Sequence, residues 1–243
     1  IDKFESFILR SAADDQMFTM LRDAVAQLLL ATRMDADYQA YRPAVVYLNG
    51  DYWGIHNIRE KINEHYIAEN FGVDADDVNL LERRGEAMHG SNADYNAMFN
   101  YITTHDMSNP ALYEPVKSRM DIDQYIGYMV GHIYLAERDW PCNNIKFWKA
   151  NTGDYTRWRW INFDMDQTLT DFWVRENMID KCTTASGPGW PNPEWSTRLF
   201  RNLLKNEEFK NQFINEYAWH MNTTFAAARV IGVIDSLANG IRA

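Results

Sequence analysis

Apolar residues alternate with polar ones in several short stretches, and each of these stretches predicts a β-strand. In Phe4–Arg10, for example, Phe4, Ser6 and Ile8 fall on one side and the residues between them on the other. The predicted strands are Phe4–Arg10, Pro43–Leu48, Tyr52–Ile58, Val78–Leu81, Ile145–Lys149 and Trp158–Phe163. Asn49-Gly50 predicts a tight hairpin between the second and third strands, because a type I′ turn needs positive φ at both central residues.

Elsewhere the apolar residues recur at three- and four-residue spacing, which predicts helices. Thr19 is expected to cap a helix that runs to Ala31, and Gly72 to end the helix Asn63–Phe71. Further helices are predicted over 91–105, 110–119 and 121–138, and two or three more in the tail, the last capped by Asn222 or Thr223. The stretch 171–193 is rich in Gly, Pro and Ser and predicts a long irregular loop.

Together these elements predict an α+β fold, in which a strand-rich first third precedes a mainly helical part with an embedded β-hairpin. A chain of 243 residues is compatible with a single domain. We therefore predict one domain over residues 1–243, with approximate sub-lobes at 1–84 and 85–243.

Charge and hydropathy exclude some classes of protein. The net charge of −10 argues against nucleic acid as the main partner, since phosphate binding needs a basic surface. No apolar run reaches about 18 residues, so no transmembrane helix is expected. Ile1 is neither an initiator methionine nor part of a basic leader, so the chain is expected to be trimmed. Cys142 and Cys182 fit no metal-binding spacing, and whether they pair stays open.

An acid and two amides follow the helix predicted over 121–138. Asp139 precedes Asn144 by five positions, the spacing of the kinase catalytic-loop pattern H-R-D-L-x-x-x-N. Arg138 stands where that pattern has Arg, and Glu137 replaces its His. Asp139, Asn143 and Asn144 also suit an ordinary turn, so the spacing alone does not settle their role.

Asp164 and Asp166 directly follow the strand Trp158–Phe163. If the extended conformation continues, strand alternation places both carboxylates on the same side. Two carboxylates so close repel each other unless a cation lies between them. Oxygen ligands of this kind suit Mg²⁺, Mn²⁺ or Ca²⁺ rather than zinc. A solvated turn is the alternative.

Basic residues follow the strand Tyr52–Ile58. Arg59 and Lys61 are candidate phosphate ligands, and Glu64 or Glu82 could pair with Lys61 as a glutamate pairs with the strand lysine of kinases. Arg10 and Arg22 are weaker candidates of the same kind. An exposed, charged strand end is an equally good reading of each residue alone.

The sequence resembles the CotH (spore coat protein H) kinase-like family. The resemblance is strongest at Tyr47-Leu-Asn-Gly-Asp-Tyr-Trp-Gly-Ile-His-Asn-Ile-Arg-Glu-Lys61 and continues through four further blocks. These are Phe7-Ile-Leu-Arg10, Leu21-Arg-Asp-Ala24, Asp139-Trp-Pro-Cys-Asn-Asn144 and Phe163-Asp-Met-Asp166. The blocks Phe71–Asp74 and Val78–Glu82 extend the match, which covers roughly residues 4–170.

The resemblance implies an atypical protein-kinase-like fold in a bacterial member that is exported or located at the cell surface. It implies binding of ATP with Mg²⁺ or Mn²⁺ and phosphorylation of protein Ser or Thr. The implied roles are catalytic for Asp139, metal-binding for Asn144, Asp164 and Asp166, and nucleotide-binding for Arg59, Lys61 and Asn143. The family's early strands are not evident before Ile1, so the N-terminal part is expected to be incomplete, and Cys142 replaces the more usual Gly.

Two other functions remain open from the sequence. Asp164-Met-Asp-Gln-Thr168 resembles the D-x-D-G-T motif of haloacid-dehalogenase phosphatases, in which Asp164 would be a nucleophile. That motif normally precedes an alternating α/β domain, whereas the tail here is predicted to be mostly helical. A non-catalytic scaffold or surface module with a kinase-like fold is the second alternative.

Overall fold

The computed structural model describes residues 5–171, 175–185 and 192–242. Within these residues the chain forms two β-sheets and nine α-helices, which confirms the α+β prediction. The first sheet is antiparallel, in the order β1-β4-β3, and consists of β1 (Phe7–Arg10), β3 (Tyr41–Leu48) and β4 (Asp51–Glu60). Asn49 and Gly50 join β3 to β4 with φ of 53° and 91°, as the hairpin prediction requires.

The second sheet has five strands in the order β2-β8-β7-β5-β6. Its strands are β2 (Asp37–Tyr38), β5 (Val78–Glu82), β6 (Glu86–His89), β7 (Lys146–Ala150) and β8 (Arg159–Asn162). β2 and β8 are parallel, and the other three neighbouring pairs are antiparallel. The predicted hairpin of β7 and β8 is therefore present but lies inside a larger sheet. That sheet joins strands from both sides of residue 84, so the predicted sub-lobe boundary does not separate the two sheets.

Of the nine described helices, four lie in the first half of the chain and five in the second. They are α1 (Arg22–Ala31), α2 (Glu64–Phe71), α3 (Ala93–Thr104), α4 (Pro110–Tyr113), α5 (Ile122–Tyr134), α6 (Met178–Thr183), α7 (Glu194–Leu203), α8 (Glu207–Asn222) and α9 (Ala227–Ile241). Gly72 ends α2 with φ of 68°, as predicted, and Asn63, for which no capping role was predicted, caps the start of α2 by accepting from Tyr66 N.

Four local predictions were wrong. Thr19 does not cap α1, because its side chain and backbone donate to Asp15 instead, and α9 follows Ala226 without a side-chain cap. α5 ends at Tyr134 rather than near residue 138. The predicted loop 171–193 contains α6, and its residues 172–174 and 186–191 lie outside the described residues.

The main hydrophobic core surrounds α5, which packs against the five-stranded sheet on one side and against α8 on another. Gly131 of α5 lies so close to Leu30 of α1 that a Cβ there would meet the Leu30 methyl carbons at 2.8 Å. This close approach fixes α1 against α5, and the segments that precede and follow these helices carry the polar residues considered next.

The parallel strand β2 is held by a charge cluster around the buried side chains of Arg159 and Asp37. Arg159 donates to Asp37 at 2.7 Å, to Asp35 at 2.7 Å and to Asp121 at 2.9 Å, and Trp148 Nε1 also donates to Asp37 at 2.7 Å. Bidentate contacts of this kind fix the geometry of a guanidinium strongly. They anchor β8, and with it the loop that begins after Asn162 and carries the acid pair.

Candidate active site

Three loops carry the polar residues that the sequence singled out. The first follows β1, whose last residue is Arg10. The second follows α5 and runs from Glu137 to Asn144, and the third follows β8 and runs from Asp164 to Asp166. Non-glycine residues with positive φ occur at Ala136, Asn144 and Asp164. Backbone strain of this kind is common where a chain must present side chains in a fixed geometry.

Asp139 and Asn144 lie in one tight loop. Asp139 N donates to Glu137 Oε1 at 2.9 Å, and Asn143 N donates to Asp139 O at 3.1 Å. Asn144 has φ of 55°, a conformation that Asn tolerates better than most residues. Its Nδ2 donates to Asp164 O at 2.9 Å. This hydrogen bond joins the loop after α5 directly to the loop after β8.

Arg10 lies between the two carboxylates of the third loop. Its guanidinium pairs closely with Asp164 Oδ1 and is 3.3 Å from Asp166 Oδ2. Asp166 Oδ2 also accepts from Asp14 N at 3.1 Å. The sequence predicted that this acid pair needs a cation, and in the structure the guanidinium of Arg10 occupies that place.

The carboxylates of the site influence one another. Burial and the neighbouring charge of Asp164 raise the pKa of Asp166 to about 6, although Arg10 acts against the rise. Burial, Asp14 and Asp164 raise the pKa of Asp139. Burial raises the pKa of Glu137 well above its ordinary value, and the charges of Asp139, Asp166 and Asp164 add to that effect. Folding therefore brings the acids of the loop after α5 and the acid pair into one electrostatic cluster.

Asp23 belongs to this site, although the sequence analysis gave it no role. Its side chain forms a buried ion pair with Arg59, accepts from Gln27 Nε2 at 2.6 Å and accepts from Met165 N at 2.9 Å. Met165 lies between Asp164 and Asp166, so Asp23 ties α1 and β4 to the loop of the acid pair. The only signal for Asp23 in the sequence was its place in the block Leu21–Ala24.

In the described part of the chain, no hydrogen bond or ion pair joins the side chains of Arg59, Lys61 or Asn143 to the carboxylates of Asp164 and Asp166. Arg59 is 2% exposed and committed to Asp23 and to Gln39 O. Lys61 is exposed and directly follows Glu60, the last residue of β4. Glu60 pairs with Phe7, which lies three residues before Arg10 in β1. Asn143 lines an open groove with Cys142, Arg83 and Arg84, whereas its neighbour Asn144 faces Asp164.

A second cation–carboxylate pair was also unexpected. Lys146 Nζ lies 2.9 Å from Glu82 Oε2 across β7 and β5, and 5.3 Å from the ring centre of Phe163. Glu82 therefore pairs with Lys146 and not with Lys61 as the sequence suggested. Phe163 directly precedes Asp164, so this pair lies beside the acid loop.

The donors of the site fit a hard divalent cation. Among the described residues there is no group of three His, Cys, Asp or Glu side chains placed to hold a metal ion. Mg²⁺, however, is commonly held by one or two carboxylates together with substrate phosphates and water. Asp164, Asp166 and the amide of Asn144 supply such a set, and the Arg10 contact shows that the pair attracts positive charge.

The structure gives little support to the phosphatase alternative. The described residues after Asn162 form helices and loops, and none of them is in a strand. A haloacid-dehalogenase domain would need alternating strands and helices after the motif.

Cys142 and Cys182, whose pairing the sequence left open, are both free.

No single helix among the described residues is long and apolar enough to cross a membrane. α8 and α9 together have the length and the apolar composition of a membrane span, but the two helices meet at a bend of 64°.

Comparison with known proteins adds one finding. A family model described as CotH kinase protein matches residues 1–243, which confirms the resemblance expected from the sequence blocks. A search of curated proteins finds no match. Because the family model spans the whole of this sequence, the chain belongs to the CotH kinase protein family.

Proposed function

We propose that this chain has a kinase-like fold and transfers the γ-phosphoryl group of ATP to Ser or Thr hydroxyls of proteins, with Mg²⁺ or Mn²⁺. The observation that carries the proposal is the hydrogen bond of 2.9 Å from Asn144 Nδ2 to Asp164 O. Kinases hold their metal ions with an Asn of the catalytic loop and an Asp of a following loop. Here Asn144, which lies five residues after Asp139, is in direct contact with Asp164.

Asp139 is the proposed catalytic residue. It is half-buried, its backbone N–H is fixed by Glu137, and its raised pKa favours acceptance of a proton. The substrate hydroxyl donates its proton to the Asp139 carboxylate as its oxygen forms a bond to the γ-phosphorus. The bond from that phosphorus to the bridging oxygen breaks, and ADP leaves with the electron pair.

Asn144, Asp164 and Asp166 are the residues that would hold the metal. When bound, the ion neutralises charge on the phosphate oxygens and orients them for in-line transfer. Asp164 has the required access, since 31% of its side chain is exposed, whereas Asp166 is nearly buried with 6% exposed. We assign Asp164 to direct ligation and Asp166 to support of the same cation.

The pair of Asp23 and Arg59 supports the kinase-like assignment. Kinases link a strand lysine to a helix glutamate, and that ion pair must be in place for activity. Here Arg59 of β4 pairs with Asp23 of α1, and Asp23 also holds Met165 N of the acid loop. In the proposed enzyme this pair positions the metal ligands rather than contacting the phosphates, because Arg59 is buried.

The family resemblance supports a further proposal, which concerns where the enzyme and its substrate are located. We propose that the substrate is a protein carried with the enzyme outside the bacterial cytoplasm, at the cell surface or beyond it. Fractionation of the native bacterium tests the location, and recovery of the protein in the cytoplasmic fraction alone would refute it.

The proposed activity is tested by transfer of label from γ-labelled ATP, with casein as a general acceptor and autophosphorylation scored in parallel. We expect Mg²⁺- or Mn²⁺-dependent label on Ser or Thr, and its loss in Asp139→Asn and Asp164→Asn. Asp235→Asn, an exposed acid of α9, is the matched control and should retain full activity. Full activity in Asp164→Asn would refute the assignment.

One observation favours a non-catalytic scaffold as the second candidate, namely that Arg10 already neutralises the acid pair. A scaffold of this kind would gain no stability from Mg·ATP. For a kinase, saturation at about 100 times Kd should add about 2.7 kcal/mol to the free energy of unfolding.

A further inference from the structure

Arg10 is held rigidly beside the acid pair. It is the last residue of β1, where it pairs with Asn57 of β4, so its backbone cannot move independently of the sheet. Its side chain is 24% exposed and contacts both Asp164 and Asp166. Burial alone would lower the pKa of Arg10, but Asp164, Asp23 and Asp166 raise it overall. The guanidinium is therefore a permanent positive charge at this position.

The space between the two carboxylates accommodates one cation. A guanidinium satisfies carboxylate oxygens through its N–H groups, and those oxygens are the same ones that a divalent ion would use. An ion at Asp164 and Asp166 would also lie within a few ångströms of the Arg10 charge, where the repulsion is strong. Arg10 and the metal ion thus exclude each other from the acid pair.

We propose that Arg10 is the resting counter-ion of the metal site and that a divalent cation must displace its guanidinium from Asp164 and Asp166 in order to bind. This inference rests on the proposed metal-dependent function and adds a regulatory property to it. The observed free energy of metal binding is that of the acid pair with the ion, reduced by the free energy needed to release Arg10. In the absence of metal, the same contact keeps the two carboxylates from repelling each other.

Mn²⁺ binding without nucleotide tests this directly. The free Mn²⁺ concentration is followed by electron paramagnetic resonance in a titration of the wild type, Arg10→Met, Arg10→Lys and Arg42→Met. Arg42 is the matched control, since it is an exposed arginine on β3 of the same sheet. Arg10→Met should bind Mn²⁺ about tenfold more tightly than the wild type, the equivalent of one strong charge-assisted hydrogen bond.

Arg10→Lys should bind with intermediate affinity, because lysine keeps the charge but lacks the two-pronged geometry. If Arg10→Met does not fold, the Mn²⁺ affinity of Arg10→Lys still tests the competition. Arg42→Met should bind as the wild type does. Equal affinity in wild type, Arg10→Met and Arg10→Lys would overturn the inference while leaving the metal site intact. No Mn²⁺ binding by any variant would overturn the proposed function and the inference together.

Thermal unfolding gives a second, activity-independent readout. In EDTA, Arg10→Met should unfold at a lower temperature than the wild type, because Asp164 and Asp166 lose their counter-ion. Mn²⁺ should then raise the unfolding temperature more in Arg10→Met than in the wild type. A loss of stability that Mn²⁺ does not recover would mean that Arg10 only supports the fold, and would refute the proposed competition.

Discussion

The ion pair of Asp23 and Arg59 offers the sharpest test of how α1 and β4 support the acid loop. Arg59 is 2% exposed at its side chain and Asp23 11%, so neither charge has free access to water. In Asp23→Asn the amide keeps the shape of the side chain but leaves the guanidinium buried without a counter-charge. It also weakens the contacts to Gln27 and Met165 N.

Removing one partner of a buried ion pair costs about 3–5 kcal/mol. For a chain of this size that corresponds to a fall in Tm of roughly 6–20 °C. Urea unfolding followed by circular dichroism measures the free energy, and calorimetry measures Tm. Glu207→Gln is the control, because it removes one partner of an exposed pair with Lys210 and should cost less than about 1 kcal/mol.

The double variant Asp23→Asn/Arg59→Met completes the cycle. Since it removes the unpaired buried charge, it should be more stable than the sum of the single losses predicts, with a coupling energy of about 1–3 kcal/mol. A loss below about 1 kcal/mol in Asp23→Asn, or additive losses in the double variant, would refute the view that this pair is a buried structural link.

The remaining predictions concern stability elsewhere. Gly131→Ala should lose about 1–2 kcal/mol in urea unfolding, because its Cβ would meet the fully buried Leu30 at 2.8 Å. Gly127→Ala in the same helix should instead gain up to about 1 kcal/mol, since its Cβ meets nothing nearer than 4.0 Å. If both substitutions changed the free energy of unfolding in the same direction, the close packing at Gly131 would be contradicted. Burial lowers the pKa of His132 to about 3, so below pH about 6.5 the unfolded chain binds the extra proton and stability falls by up to about 1.4 kcal/mol per pH unit. His132→Phe should flatten this decline in urea unfolding at pH 7.5, 6.0 and 5.0, and an unchanged slope would exclude the residue as its source. Asn63→Ala should lose about 1 kcal/mol in thermal unfolding through its missing cap, and no loss would mean that Tyr66 N is satisfied otherwise.

Features that depend on short sequence signals could be predicted. Asn49-Gly50 and Gly72 lie where positive φ is needed, and the structure places them as expected. The acid and amide positions of the two site loops were also visible, because Asp139 and Asn144 follow a helix and Asp164 follows a strand. Local chemistry determines each of these.

Features that depend on distant contacts could not be predicted. Asp23 lies in an ordinary helical pattern, and its contacts with Arg59 and Met165 join it to residues 36 and 142 positions away in the sequence. Arg10 meets Asp164 across 154 positions of sequence. Arg59 looked available for phosphate, but it is buried and held by Asp23 and by Gln39 O, contacts that no local pattern reveals.

The end of α5 shows a third kind of limit. The helical pattern continues past Tyr134, but Ala136 adopts φ of 52° and Glu137 turns inward to hold Asp139 N. Left-handed φ in alanine is unfavourable and is found where surrounding contacts enforce it. The site geometry therefore overrides the local preference for helix at this position.

The proposed reaction requires that Asn144 and Asp164 hold the metal ion that binds the phosphates of a nucleotide beside Asp139. Calorimetric titration with ATP measures this binding, in Mg²⁺ and in EDTA, for the wild type, Asp164→Asn and Asp139→Asn. We predict binding by the wild type only with Mg²⁺, loss of that binding in Asp164→Asn, and its retention in Asp139→Asn. Equal binding in EDTA, or unchanged binding of Mg·ATP by Asp164→Asn, would contradict the account.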